Sequence, residues 1–259
     1  MKLWLRILSL FVAAIGSVGC AGGNFKEAGA GAPKITSESF VFDGQSRPYS
    51  VYTPRGYDDK KKKYPTILFL HGLFEGGSNG TAMVNVGIGP AIRKNPERFN
   101  CIVVFPQAPG SWKNVDEQPI AMATLDEAMK HYAIDSGRVT LTGLSTGGVA
   151  VWQLGAKYPN RFAALAPLCA YSDYDDVPKL TKYPIWAVHN GTDPFVPAGN
   201  THEMTKRIND AGGNARKTIF SAFGHDCWDA AYADETFVAW LQAPGKTQTA
   251  VVPQVVQRQ

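Results

Sequence analysis

Metal-ligand spacing is missing from this chain: its four cysteines, Cys20, Cys101, Cys169 and Cys227, never form a C-x-x-C, and no H-E-x-x-H occurs among its five histidines. Structural zinc and metal-dependent hydrolysis of that type are thereby excluded. A strong charge of either sign is also lacking. The formal net charge is +4, and if the first 19 residues are removed, Lys2 and Arg6 go with them, leaving 24 basic against 22 acidic residues. So small an excess does not point to a nucleic-acid partner, and the lone basic cluster, Lys60 to Lys63, reads as a solvated turn before a strand. No internal repeat is present, and no cofactor motif is evident.

Long apolar runs are scarce as well. The one at the N-terminus, Ile7 to Ile15, follows two early positive charges and leads into small residues. It is too short for a stable membrane span and has the layout of a secretory signal, so residues 1–19 are expected to be a signal peptide. Ser17-Val18-Gly19-Cys20 resembles a bacterial lipobox, with Ser17 where an aliphatic residue is usual. Cys20 is therefore a candidate lipidation site for membrane attachment, and cleavage to a freely secreted protein is the alternative. The Gly/Ala-rich composition of residues 20–33 suits a flexible linker. Residues 243–259 have no helical periodicity and are expected to be a disordered tail. Between them, residues 34–242 read as one folded domain, and 44 % hydrophobic residues overall is enough for a sizeable core.

The chain is organised around Arg138-Val-Thr-Leu-Thr-Gly143-Leu144-Ser145-Thr146-Gly147-Gly148, a β-branched run, a glycine-flanked serine and a helix-compatible segment. A serine on so sharp a strand-to-helix turn presses the positions two before and two after it against neighbouring backbone, which favours Gly143 and Gly147. The hydroxyl then stands clear of the sheet. The amide of Thr146, at the head of the helix, is free to donate to an oxyanion.

The rest of the chain alternates strands and helices. A hairpin spans residues 34–54, turning at Asp43-Gly44. Thr66 to Leu70 and Cys101 to Phe105 read as buried parallel strands, with helices over Ile88 to Lys94 and Ile120 to Tyr132. Past the elbow, Phe162 to Ala166 and Ile185 to Val188 read as strands, residues 167–182 as a loop, and Gly199 to Ala211 as a helix. Ala215 to Phe220 and a helix over Asp234 to Leu241 finish the domain. This order predicts a mostly parallel twisted sheet with helices on both faces and an N-terminal antiparallel hairpin.

Side chains of three types gather at carboxyl ends of these strands in the order Ser145, Asp193, His225. A serine hydroxyl needs a base to take its proton, here His225, and a carboxylate to orient that base, here Asp193. Asp173, Asp175, Asp176 and Asp226 compete for the acid role but lie before the penultimate strand or beside the histidine. In His71-Gly-Leu-Phe-Glu-Gly-Gly77, after the first parallel strand, the amide of Leu73 is a second oxyanion donor, His71 shapes the turn, and Glu75 contacts substrate or braces the loop. Trp112 is either a wall of the substrate pocket or packed against the domain, and Tyr171 and Trp228 are further candidate substrate contacts. With export, Cys169 and Cys227, each just past a strand, form a candidate disulfide, and free thiols are the alternative.

His71-Gly72 with Glu75 and Gly76, Pro106-Gln107, Gly143-Leu-Ser-Thr-Gly-Gly148, His189-x-Gly191-x-Asp193-x-x-Val196-Pro197 and Gly224-His-Asp-Cys-Trp228 together resemble exported α/β-hydrolase serine esterases. The closest group is the phospholipase/carboxylesterase, or predicted peptidase, group related to polyhydroxybutyrate depolymerases and feruloyl esterases. The resemblance covers most of residues 40–242, with Phe74 in place of a small residue and Thr146 in place of methionine. It implies an α/β-hydrolase fold and hydrolysis of carboxylic esters through an acyl-enzyme, with acetyl or feruloyl esters of polysaccharides as candidate substrates and no cofactor. A serine peptidase on the same fold and a catalytically silent binding protein are the alternatives.

Overall fold

The computed structural model describes residues 31–243. The signal peptide over 1–19, lipidation at Cys20, nearly all of the linker 20–33 and the tail beyond residue 243 lie outside the described residues.

The hairpin forms as β1 (Lys34–Phe42) and β2 (Gln45–Thr53), turning on Asp43 and Gly44, both at positive φ. Then follow β3 (Tyr64–Leu70), α1 (Ile88–Lys94), β4 (Ile102–Pro106), α2 (Gln118–His131), β5 (Ile134–Leu144) and α3 (Thr146–Lys157). The second half contains β6 (Ala164–Leu168), α4 (Val177–Leu180), β7 (Pro184–Thr192), α5 (Gly199–Asp210), β8 (Asn214–Phe223), α6 (Cys227–Ala233) and α7 (Glu235–Gln242). The eight strands make one sheet in the order β1-β2-β4-β3-β5-β6-β7-β8. β1 with β2 and β2 with β4 pair antiparallel, and every later pairing is parallel.

The period of two along each strand divides the apolar residues between two cores. From β3, Leu68 and Leu70 join Val139, Leu141, Trp152 and the buried faces of α2, α3, α4 and α5, while Ile67 and Phe69 join Ile88, Ile92, Tyr232 and Phe237 of α1, α6 and α7 on the opposite face. Helices on both faces leave the central strands β3, β4 and β6 no solvent side, which is why β3 and β4 read as unbroken apolar runs.

Two short helices form where the sequence predicts none, α4 within the expected loop 167–182 and α6 just past His225. α4 has four residues and α6 seven, lengths over which one or two turns cannot display a 3.6-residue period. β6 is also shifted two residues toward the C-terminus from its expected place. This brings Leu168 level with Leu144 at the end of β5, where the Leu168 carbonyl accepts the amide hydrogen of Ser145.

Candidate active site

Four loops converge at the carboxyl ends of β3, β5, β7 and β8. Ser145 sits between β5 and α3 with φ 53° and ψ −118°, a conformation that costs a non-glycine residue of order 1–3 kcal/mol. The glycines around it are there for space. A Cβ on Gly143 would lie 2.8 Å from the Gly147 carbonyl, and one on Gly147 would overlap the carbonyl oxygens of Leu70 and His71.

From this turn the Ser145 hydroxyl reaches His225 Nε2 at 2.9 Å, and His225 Nδ1 donates to Asp193 Oδ2 at 2.6 Å. The relay runs in that order, with Nδ1 carrying the proton and Nε2 free to accept one. Asp193 Oδ1 accepts the backbone N–H groups of Phe195 (2.8 Å) and Val196 (3.0 Å). Burial works to raise the Asp193 carboxyl pKa, but the Val196 amide, His225 and the Phe195 amide outweigh it and hold it below the ordinary carboxylate range. The acid is thus ionised when His225 must become an imidazolium.

None of the rival acids Asp173, Asp175, Asp176 and Asp226 joins this relay, and Asp175 is exposed. Asp173 caps its own turn through the Asp175 amide, Asp176 pairs with Lys179, and Asp226 is exposed.

Leu73 and Thr146 are the first residues of a 3-10 turn (Leu73–Glu75) and of α3. Amides in that position have no acceptor inside their own helix. The loop bearing Leu73 is fixed by His71, which is fully buried. Its Nδ1–H donates to the Gly72 carbonyl at 2.6 Å, and its Nε2 accepts the Ala108 amide at 3.1 Å. Desolvation, against the pull of that carbonyl, lowers its pKa to about 4, so it is a neutral brace rather than a second base. Gln107 braces the same loop, donating to the Glu75 carbonyl at 2.9 Å and accepting the Gly80 amide at 2.8 Å.

Glu75 turns its carboxylate toward the serine across Gly72, where an added Cβ would lie 3.0 Å from Glu75 Oε2 and 3.9 Å from Ser145 Cβ. Burial pushes that carboxyl above its ordinary range, against hydrogen bonds from the amides of Gly72 and of Glu75 itself.

The other expected contacts divide. Trp228 is half-buried, with its ring centroid 5.6 Å from that of His225. Tyr171 is partly buried against the core, with the Lys113 ammonium 5.5 Å from its ring centroid. Trp112 is corrected: it is completely buried, packs with the α2–α3 core and lies 5.2 Å from the His71 ring, so it supports the loop bearing Leu73 from behind and presents no wall to a substrate. The disulfide is corrected too. Cys169 and Cys227 are free, buried thiols. They are neighbours, and the Cys227 thiol donates to the Val188 carbonyl at 3.5 Å. Desolvation and hydrogen bonding to Cys227 drive the Cys169 pKa well upward, which removes the thiolate that disulfide exchange requires.

The sequence reading gave no role to His189, yet it stands directly behind the acid. It is buried on β7, with Nε2 donating to the Val196 carbonyl at 2.9 Å and Nδ1 accepting the Thr201 hydroxyl at 2.8 Å. Nε2 is also 3.4 Å from Asp193 Oδ2. Desolvation is the largest influence on its pKa and lowers it, overcoming the opposing pull of Val196 and Asp193. The pair is therefore a neutral imidazole beside a carboxylate and not an ion pair. Its signal in the sequence was position: four residues before the acid, at the end of a buried strand.

Among the described residues no cluster of His, Cys, Asp and Glu could hold a metal ion, and no helix is long and apolar enough to cross a membrane.

Comparison with solved structures gives the same architecture repeatedly. A thermostable esterase aligns with a TM-score of 0.72 and 26 % identity over 80 % of this chain, which spans 62 % of that esterase's length. A ferulic acid esterase aligns with a TM-score of 0.63 and 18 % identity, covering 81 % of this chain and 99 % of its own. An acylaminoacyl peptidase from Pyrococcus horikoshii aligns with a TM-score of 0.63 and 12 % identity, covering 85 % of this chain and 43 % of its own. The last two likenesses establish the fold alone. No curated protein matches the sequence. The model of the dienelactone hydrolase family matches residues 106–235, half of the chain and the span that contains Ser145, Asp193 and His225. The chain belongs to the dienelactone hydrolase family of α/β-hydrolases.

Proposed function

We propose that this protein is an exported serine esterase that cleaves carboxylic esters through an acyl-enzyme. The observation that carries the reading is the unbroken relay from Ser145 Oγ to His225 Nε2 at 2.9 Å and from His225 Nδ1 to Asp193 Oδ2 at 2.6 Å.

In this mechanism His225 takes the Ser145 proton as Oγ adds to the ester carbonyl. The amides of Leu73 and Thr146 receive the oxyanion, and the Asp193 carboxylate stabilises the imidazolium. His225 then returns the proton to the departing alcohol oxygen. Water, deprotonated by the same imidazole, adds to the acyl-serine, and collapse of the second tetrahedral intermediate releases the acid and regenerates Ser145. No redox equivalent or cofactor enters this balance.

Short acyl esters and feruloyl esters are the substrate candidates. A ferulic acid esterase and a feruloyl esterase module from Clostridium thermocellum among the structural neighbours support the second. Export rests on the N-terminal signal pattern, and anchoring on lipidation of Cys20.

The test is labelling of the folded protein with a fluorophosphonate, followed by turnover of an ester and an amide that share one acyl group. Modification of Ser145 with turnover of the ester far above the amide is the expected result. Failure to label Ser145 would favour a silent binding protein, and comparable amide turnover would favour a peptidase.

A further inference from the structure

Large apolar side chains are exposed in this protein chiefly where the site is. Seven stand out among the described residues, and four of them are Leu73 (52 % exposed), Phe74 (93 %), Phe195 (78 %) and Phe223 (80 %). Leu73 is the oxyanion donor itself, Phe74 is its neighbour, Phe195 lies two residues past Asp193 and Phe223 two before His225. Apolar exposure concentrated at one place marks a contact surface.

One phenylalanine and one tryptophan flank the general base. The Phe195 ring stands edge-on to the imidazole of His225, with centroids 5.7 Å apart and planes at 73°; Trp228 does the same at 5.6 Å and 88°. Phe195 is held in register with the relay because its own amide donates to Asp193 Oδ1. Phe223 ends β8 opposite Thr192, the residue that precedes Asp193. Two polar side chains in this rim are already committed, Asn190 donating to the Gly224 carbonyl at 3.0 Å and Thr192 to the Ala222 carbonyl at 2.8 Å, while Asp226 is exposed.

The direction of the chemistry says which half of an ester meets these rings. His225 delivers its proton to the leaving oxygen, so the alcohol departs past the imidazole, whereas the acyl group stays on Ser145. Resting on the ester-hydrolase reading above, we propose that Phe195, Trp228 and Phe223 form the subsite for the alcohol half, and that this half carries a flat apolar group, an aryl or arylalkyl alcohol rather than a sugar hydroxyl. Ring-on-ring contact favours such a group, and the committed polar side chains leave a sugar few partners.

The experiment compares kcat/KM for benzyl acetate and ethyl acetate, which share the acyl group and have alcohols of similar acidity, with an acetylated xylose oligomer as the third substrate. The wild-type protein is expected to prefer the benzyl ester by about tenfold, in line with the contribution of one aromatic contact plus buried apolar area. The preference should fall to about twofold in Phe195→Ala and in Phe223→Ala. It should be unchanged in Val41→Ala, which removes an equally exposed apolar side chain on the far edge strand β1. A wild-type ratio near one, a preference that survives both phenylalanine substitutions, or faster turnover of the sugar acetate overturns the subsite. The same comparison is made on benzyl and ethyl ferulate: no turnover of any acetate or ferulate removes the esterase reading along with the subsite, whereas turnover without preference removes the subsite alone.

Discussion

His189 Nε2 lies 3.4 Å from Asp193 Oδ2, the same oxygen that accepts the hydrogen bond from His225 at 2.6 Å. A buried, neutral imidazole thus holds the turn that holds the acid: His189 fixes the Val196 carbonyl, and the Val196 amide fixes Asp193 Oδ1. His189→Gln is expected to lower kcat by roughly tenfold or more with little change in KM, because a small misplacement of the relay is costly while substrate contacts are untouched. Leaving Thr201 and Val196 without their partner should also cost about 1–3 kcal/mol of stability. Steady-state kinetics and urea denaturation of the variant check both, and an unchanged kcat would reduce His189 to core filling.

Ser145 is strained where it stands, with φ 53°. Ser145→Ala and Ser145→Gly are each expected to abolish ester turnover, and the glycine variant should be the more stable of the two by about 1 kcal/mol, since only glycine adopts that backbone without penalty. Equal denaturation midpoints would show that the elbow stores no strain.

His71 ties stability to pH. Its folded pKa is about 4 against an ordinary 6.5, so between those values the unfolded chain binds the proton more readily and stability must fall as pH falls. The contribution is fully present above about pH 6.5 and is lost progressively down to about pH 4. At 1.36 kcal/mol per pKa unit this amounts to about 3 kcal/mol. Denaturation series at pH 7 and pH 4.5 should show a markedly smaller drop in His71→Gln than in the wild type. Parallel slopes would place the acid sensitivity elsewhere.

Cys101, Cys169 and Cys227 are buried free thiols, and burial pushes the thiols of Cys101 and Cys169 up. Alkylation without reductant is expected to modify none of the three in the native protein and all three after denaturation, read as mass shifts on their peptides. A peptide pair joined through Cys169 and Cys227 would contradict the free thiols of the structure.

The elements that were legible are those whose signal is local. The helix at Ile88–Lys94 has its expected bounds, and β3 and β4 stand within two residues of theirs because strands buried on both faces write an apolar run into the sequence. The elbow was legible because its glycines answer steric contacts within one turn. α4 and α6 were not, being too short to show a period, and the inward turn of Trp112 was not, because a tryptophan in a loop has the same local sequence whether it faces solvent or core.

Chain order alone determined the serine, acid and histidine and the strand ends they occupy, since alternating strands and helices dictate which loops share a rim. Tertiary structure decided what surrounds them. Whether Cys169 bonds or merely touches Cys227, whether Trp112 lines a pocket or supports a loop, and that His189 stands behind Asp193 all depend on side-chain directions across strands far apart in sequence. Those directions are set by packing of β6, β7, α5 and α6 around the cysteines and His189, and of α2 and α3 around Trp112, which no local pattern encodes.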